Sequence, residues 1–269
     1  KMLREAPPIL LAPKGEFSTG ALQLKSLKKH IYIKLSRWLY KDVYFHASSE
    51  YEKKDILKVF PSFNKEKILT AIDLPKRSDF IPQSKGDNSS AIRLVFLSRI
   101  SPKKNLDYAL NILKKVSLPV EYSIYGPIED KTYWDKCQDL IKQLPPNVSC
   151  SYKGVVEPHN IQTIFSQYDL FFFPTKGENY GHVIAESLSA GTPVLISDQT
   201  PWRKLESYGV GWDLNLNNPQ EFIDKINEFI TTTSKIHSKI DIIHRSRPLL
   251  INQADIDANK QMFLTIIEG

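Results

Sequence analysis

The sequence of 269 residues contains no apolar run approaching the roughly 20 residues that a membrane-spanning helix needs. Its opening, Lys1-Met2-Leu3-Arg4-Glu5-Ala6-Pro7-Pro8, lacks the apolar stretch of a secretory signal peptide. Cysteine is scarce, with Cys137 and Cys150 only. Two cysteines make neither a disulfide framework nor a metal site, and a reducing cytosol suits them. Both fall in segments that read as buried, so they are expected to be small core side chains. No cluster of His, Cys and acids suggests a metal site. Glycine is absent from Leu97-Ser98-Arg99-Ile100-Ser101-Pro102, where a dinucleotide-binding dehydrogenase would carry G-x-G-x-x-G after its first strand. A P-loop is absent too. Acidic residues are missing from Leu24 to Lys41. Internal repeats and low-complexity tracts are also absent.

What is present is ordinary in amount: 41% hydrophobic and 25% charged residues. That composition supports a sizeable core and argues against disorder. The length allows two domains or one large α/β domain. A net charge of +6 suits a polyanionic partner, for which phosphate-bearing substrates, anionic membranes and nucleic acid all qualify.

From Ala91 onward apolar runs alternate with helical periodicity. Strands are expected at Ile92 to Leu97, Val120 to Tyr125, Val148 to Tyr152, Asp169 to Phe173 and Pro193 to Ile196, with a sixth at Gly211 to Leu214. Helices are expected at Asn105 to Val116, Asp130 to Leu144, Asn160 to Ser166, His182 to Ser189 and Gln220 to Ile230. This alternation predicts an α/β fold, a Rossmann-like doubly wound parallel sheet covered on both faces. Ligands of such sheets bind at the carboxyl ends of the strands. Arg99, Gly126 and Glu178 each follow such an end and are expected to converge. At Gly126 a missing side chain would let backbone approach a ligand, or would simply allow a turn. Residues 76–90 are polar and aperiodic and read as a linker. Before them, Val43 to Ala47 reads as a strand and Glu50 to Val59 as a helix, two elements that do not make a domain.

The densest segment is Gly177-Glu178-Asn179-Tyr180-Gly181-His182-Val183-Ile184-Ala185-Glu186, which follows Leu170-Phe171-Phe172-Phe173-Pro174. It reads as strand, loop and helix, with the helix starting near Tyr180 or Gly181. Eight residues of helix span about 12 Å, roughly the length of a diphosphate with a sugar ring on each end. The free N–H groups of the helix start, between the two carboxylates, suit a phosphate. The same spacing arises by chance, and a glutamate near a helix start also complements the dipole.

Phe173-Pro174-Thr175, Gly177-Glu178-Asn179-Tyr180-Gly181 and Glu186-Ser187-Leu188-Ser189-Ala190-Gly191-Thr192-Pro193-Val194-Leu195 together resemble the donor-site signature of GT4-type retaining glycosyltransferases. These enzymes use nucleotide sugars and have the two-domain GT-B fold, and the resemblance covers most of residues 92–268. Arg99-Ile100-Ser101-Pro102-Lys103-Lys104-Asn105 resembles the family pattern in which an Arg, and a Lys five residues later, hold the donor diphosphate. Ser98 stands where the family often has Gly. The resemblance implies catalytic roles for Glu178, Arg99 and Lys104. It implies donor binding by these three with Gly126, Asn179, Tyr180, Gly181 and Glu186. Arg99 and Lys104 would neutralise the leaving diphosphate, Glu178 would attend the donor sugar, and Glu186 would accept hydrogen bonds from the ribose hydroxyls. No cofactor or metal is implied. Asp255-Ile256-Asp257 spells the D-x-D of metal-dependent sugar transfer, but it opens the last helical segment, where acids cap helices.

Pro13-Lys14-Gly15-Glu16-Phe17, Phe45-His46-Ala47-Ser48-Ser49-Glu50 and Ile72-Asp73 match segments that close the first domain of the family. The implied organisation is residues 1–75 as the end of that domain, a linker at 76–90, the nucleotide-sugar domain at 91–250, and a helix at 251–269 that crosses back. On that reading most of the first domain is missing, and this chain alone is expected not to transfer sugar. The expected partners are a nucleoside diphosphate sugar and a sugar or lipid-linked acceptor, not nucleic acid. Leu24, Leu27, Ile31, Leu35 and Trp38 repeat at helical spacing among Lys25, Lys28, Lys29, Lys34, Arg37 and Lys41. Such a helix can lie on an anionic membrane or pack as an ordinary helix with a basic face. The expected setting is cytoplasmic, at the inner membrane face if that contact forms, in cell-surface polysaccharide or glycoconjugate synthesis. Two other readings stay open: a non-catalytic nucleotide-binding module, and a membrane-attached scaffold built on residues 24–41.

Overall fold

The computed structural model describes residues 7–17, 22, 26–73, 91–232, 238–250 and 253–268. The expected linker, residues 76–90, lies outside the described residues, as do Leu24 and Lys25. Contacts divide the chain into two compact units, residues 1–74 with 251–269, and residues 75–250.

The first unit holds a parallel sheet in the order β1 (Ile9–Leu11), β2 (Val43–Ala47), β3 (Ile68–Thr70). Helix α1 (Ser26–Ser36) runs on into a 3-10 turn at Arg37–Tyr40 before β2, and α2 (Glu50–Val59) connects β2 to β3. Only one of these strands is expected from the sequence. Strands of three residues are too short for a period of two to show, and that is why two were missed. Their presence gives the unit a core of its own around Phe45, Ile56, Phe60 and Ile68. Phe17 meets both Phe45 and Phe60 edge-on. Glu52 is fully buried and braces the carboxyl ends of the strands. Its carboxylate accepts from Gly15 N, Ser48 N and Ser48 Oγ, while its own N–H donates to the Ser49 cap. The helix Gln253–Glu268 belongs to this unit: Met262 and Ile266 pack on Ala71, and Asn259 donates to the Ile72 carbonyl. In α1 and its 3-10 extension, Ile31, Leu35 and Trp38 are exposed.

The second unit alternates strand and helix: β4 (Ile92–Leu97), α3 (Leu106–Leu113), β5 (Val120–Tyr125), α4 (Lys131–Ile141), β6 (Val148–Tyr152), α5 (Ile161–Ser166), β7 (Leu170–Phe173), α6 (His182–Ser189), β8 (Val194–Ser197), α7 (Leu205–Tyr208), β9 (Gly211–Leu214), α8 (Pro219–Thr232) and α9 (Lys239–Leu250). All neighbouring strands are parallel, in the order β6-β5-β4-β7-β8-β9. Every residue of β7 and β8 is buried, as expected for central parallel strands covered on both faces. The edge strand β6 has exposed positions, and Cys150 on it is half-buried, whereas Cys137 on α4 is fully buried. Burial pushes both thiols up to about 12, so neither is a reactive thiolate at neutral pH.

The strand order reverses between β4 and β7. From β4 the chain winds outward through β5 and β6, and from β7 it winds the other way through β8 and β9. A crevice outside the carboxyl ends of the strands at such a switch point is where open α/β sheets bind ligands. The loops after β4 and β7 therefore form its two lips.

Candidate functional site

The lip after β7 is residues 174–181, and it is bonded on both sides. The β4 loop holds it first: Asn105 Nδ2 donates to Pro174 O at 2.8 Å, and Lys176 N donates to Lys103 O at 2.9 Å. The β8 loop holds it from the other side. Ser197 Oγ donates to Thr175 O, and Glu178 N donates to Gln199 O at 3.2 Å. A loop cross-linked in this way presents its carboxylate in a fixed place.

Asn105 is fully buried and left-handed, with φ of 62°. Asn is one of the few side chains that tolerates this region. It ends the β4 loop, starts α3, and leaves Lys104 beside it only 8% exposed. Lys104 Nζ donates to both carboxylate oxygens of Glu178, at 2.7 and 2.9 Å. Thr175 Oγ1 donates to the same carboxylate at 2.9 Å, and the Phe173 ring lies 5.6 Å below the ammonium. Two of the three residues expected to be catalytic thus meet, 74 positions apart in the chain. Burial holds the Lys104 ammonium below its usual range. Glu178 works against that, while Lys103 and Arg99 push further down. Three cations, Lys103, Lys104 and Arg99, share this corner with the carboxylates of Glu178 and Glu129, an excess of positive charge that suits a polyanion.

Arg99 lies on the same lip, but its guanidinium pairs with Glu129 at 2.8 Å, where the two side chains are 59% and 43% exposed. It does not touch Glu178 or Lys104. At Gly126 the close approach is made by the protein itself. A Cβ there would sit 1.9 Å from Ser98 O, so glycine is required by the neighbouring strand end. Gly126 also anchors the next loop, donating to Gly154 O and accepting from Tyr152 Oη, each at 2.8 Å.

Helix α6 has the expected span, His182–Ser189, and its start falls just after Tyr180 and Gly181 because Gly181 is left-handed with φ of 87° and serves as the cap. No side chain caps this helix start. Among the described residues the amides of Gly181 and Val183 have no acceptor. Such amides at a helix N-terminus are anion ligands. Asn179 lies in the lip, half-buried, and Tyr180 is buried with its ring against His182 and Trp202. Glu186 sits half-buried one and a half turns into α6, and its carboxylate has no hydrogen-bonding partner among the described residues. Burial raises its carboxyl above the usual range, and His182, one turn earlier, partly opposes this.

The arrangement offers cations and free amides for a phosphate, with a carboxylate on each side for hydroxyl groups. Asn105, Thr175 and Trp202 were not singled out from the sequence, although Thr175 and Trp202 bond the predicted Glu178 and Tyr180, and Asn105 ties the Lys104 loop to Pro174. No spacing marks them in the sequence: the left-handed backbone of Asn105 and the carbonyl that Trp202 holds show only in the structure. Among the described residues, no group of three His, Cys, Asp or Glu side chains could hold a metal ion.

Comparison with known proteins agrees with this architecture. The solved structure of Anabaena HepE in complex with UDP and glucose superposes with a TM-score of 0.70 at 17% identity, covering 96% of this chain and 71% of that one. This is a likeness of fold. An uncharacterized 41.2 kDa protein in the cps region of Klebsiella pneumoniae is 23% identical over 211 residues, which are 76% of this chain and 56% of that protein. The O-antigen chain mannosyltransferase B of Escherichia coli is 22% identical over 167 residues, 56% of this chain and 42% of the relative. The chain thus spans about half the length of these curated relatives. The profile of the family described as glycosyl transferases group 1 matches residues 77–242, more than half of the sequence and nearly all of the second unit. The chain belongs to the glycosyl transferases group 1 family.

Proposed function

We propose that the protein acts in the transfer of a sugar from a nucleoside diphosphate sugar to a hydroxyl acceptor, in the GT4 manner, with retention and without a metal. The observation that carries this reading is the Lys104–Glu178 pair at the switch point, together with the amides of Gly181 and Val183, which have no acceptor among the described residues. When the bond between the anomeric carbon and the diphosphate breaks, negative charge grows on the diphosphate. Lys104, Arg99 and the amides of α6 would stabilise that charge in place. Glu178 would turn from Lys104 toward the donor sugar, orienting its hydroxyls and favouring positive charge at the anomeric carbon. The Glu186 carboxylate, half-buried and without a hydrogen-bonding partner among the described residues, would accept hydrogen bonds from the ribose hydroxyls. Unlike paired glycosidase carboxylates, the two glutamates would not act as acid and base on one bond. Gly126 would serve by shaping the loops around the donor.

The HepE complex with UDP and glucose, and the relatives from an O-antigen and a cps setting, support a donor of this class and a role in cell-surface polysaccharide or glycoconjugate synthesis. Such acceptors are often lipid-linked, which favours a cytoplasmic protein at the inner membrane face. The exposed Ile31, Leu35 and Trp38, with exposed Lys34 and Lys41 nearby, support a peripheral contact there. No helix among the described residues is long and apolar enough to cross a membrane.

Calorimetry with UDP and GDP tests the site, and turnover of the corresponding sugars by the full-length protein tests the reaction. Absence of binding by either nucleotide would remove the basis of the proposal. Binding without turnover would favour a nucleotide-binding module. Sedimentation with vesicles containing anionic lipid tests the membrane contact, which fails if Leu35→Ser with Trp38→Ser changes nothing.

A further inference from the structure

We propose that Trp202 is a positioning residue for diphosphate binding. Its indole N–H fixes the Tyr180–Gly181 peptide so that the Gly181 amide presents to the ligand. The inference rests on the donor site proposed above but concerns a residue outside it.

Trp202 comes from the loop after β8 and is only 5% exposed. Its Nε1 donates to Tyr180 O at 2.5 Å, and its ring meets the Tyr180 ring edge-on at 5.4 Å. A trans peptide is planar, with its carbonyl and N–H pointing in opposite directions. Holding the Tyr180 carbonyl on the Trp202 side therefore aims the Gly181 N–H away from the indole. That N–H has no acceptor among the described residues.

The hold is needed because Gly181 is permissive. At φ of 87° it occupies a region that glycine enters and leaves at little cost. Without a fixed carbonyl the peptide could rotate, and the first turn of α6 would rotate with it. Ile184 N and Ala185 N donate to Gly181 O at 2.8 and 3.4 Å, so the start of the helix depends on this residue. Gly181 also packs on the indole: a Cβ there would lie 3.3 Å from Trp202 Nε1 and 2.9 Å from Ile184 Cδ1. Trp202 is itself held. Its N–H donates to Thr200 Oγ1 at 3.2 Å, and Leu205 N, just after the loop, donates to Asp213 Oδ1 at 3.0 Å. The same loop accepts Glu178 N at Gln199 O. The β8 loop thus sets both the carboxylate and the amide of the lip.

Trp202→Phe tests this by keeping an aromatic ring and deleting the donor. Two readouts are needed. The first is calorimetry with UDP and GDP, where affinity is expected to fall about tenfold, the scale of one hydrogen bond to a charged group. The second is amide hydrogen exchange, where Ile184 and Ala185 are expected to exchange faster while the strands β4 and β7 keep their protection. Trp202→His, which retains a ring N–H, is expected to recover part of both effects. Unchanged affinity in Trp202→Phe would overturn the proposal. So would exchange that rises equally across the unit, the signature of plain destabilisation. If the wild type binds neither nucleotide, the functional reading fails separately. Unaltered exchange at Ile184 and Ala185 would then still refute the positioning role.

Discussion

The Lys104–Glu178 pair offers the sharpest test of the site. The two side chains are 10% and 12% exposed, so neither can regain much water when its partner is removed. Removing one member of a buried pair typically costs about 3–5 kcal/mol, because the other is left buried and uncompensated. Here Glu178 would keep Thr175 Oγ1 at 2.9 Å, and Lys104 would keep the Phe173 ring. A smaller cost of about 2–3 kcal/mol is therefore expected for Lys104→Met or Glu178→Gln. That corresponds to roughly a 30- to 150-fold change in the folded-to-unfolded ratio. The double variant is expected to cost much less than the sum, because it leaves no orphaned charge. The two singles also differ with pH. Burial already lowers the Lys104 pKa, and Glu178 opposes that. Removing Glu178 lets Lys104 lose its proton at lower pH in the folded state than in the unfolded one. The unfolded state then binds more protons, so the stability of Glu178→Gln rises with pH as Lys104 deprotonates. Urea denaturation followed by tryptophan fluorescence and circular dichroism measures all of this. Singles costing under about 1 kcal/mol, with an additive double, would refute a buried pair.

Three further outcomes follow from other groups. Arg99→Ala is expected to weaken nucleoside diphosphate binding about tenfold by calorimetry while hardly moving the urea midpoint, since an exposed pair such as Arg99–Glu129 contributes only about 0–1 kcal/mol. Equal UDP and GDP binding by wild type and variant would remove Arg99 from the site. Glu186→Gln is expected to raise the melting temperature slightly, because burial already penalises the charged carboxyl, and to weaken the nucleotide by losing the ribose acceptor. A destabilised variant with unchanged affinity would contradict both halves. Lys239 donates to Tyr168 O and Thr192 Oγ1 at the opposite end of the sheet, and burial pushes it down to about 8 from 10.5. In the unfolded chain it keeps its proton longer, so the stability of wild type relative to Lys239→Met should climb from about pH 8 to 10.5. A difference that stays flat over that range would show that the amine is not desolvated.

Much of the second unit was legible because turn residues punctuate it. Gly126-Pro127 closes β5, Pro145-Pro146 separates α4 from β6, and Leu170-Phe171-Phe172-Phe173 admits little but a buried strand. The missed elements lacked such marks. Strands β1 and β3 have three residues each, and α7 has four, all too short for periodicity. Helix α9 carries Pro248 inside its last turn, a residue that ordinarily ends a helical reading. At the site, Lys104 and Glu178 could be picked out one by one, each with a ligand in mind. That they hold each other was not legible, because it depends on β4 and β7 being neighbours. The parts played by Asn105 and Trp202 depend on one left-handed residue and one carbonyl direction, which a string of letters does not display.

The buried pair also bears on how binding would respond to salt. Many basic sites hold loosely condensed anions from solution, and a charged ligand releases them, so affinity drops steeply as ionic strength rises. Lys104 instead carries a resident counterion in Glu178, fixed to the same framework. A diphosphate arriving there would perform an ion exchange within the protein, displacing a tethered carboxylate rather than dissolved anions. Its affinity should then depend on ionic strength less than the local excess of Lys and Arg suggests. Glu178→Gln would restore ordinary behaviour, with tighter diphosphate binding in dilute buffer and a steeper fall on adding salt. Parallel salt dependences in the two proteins would show that Glu178 plays no such part.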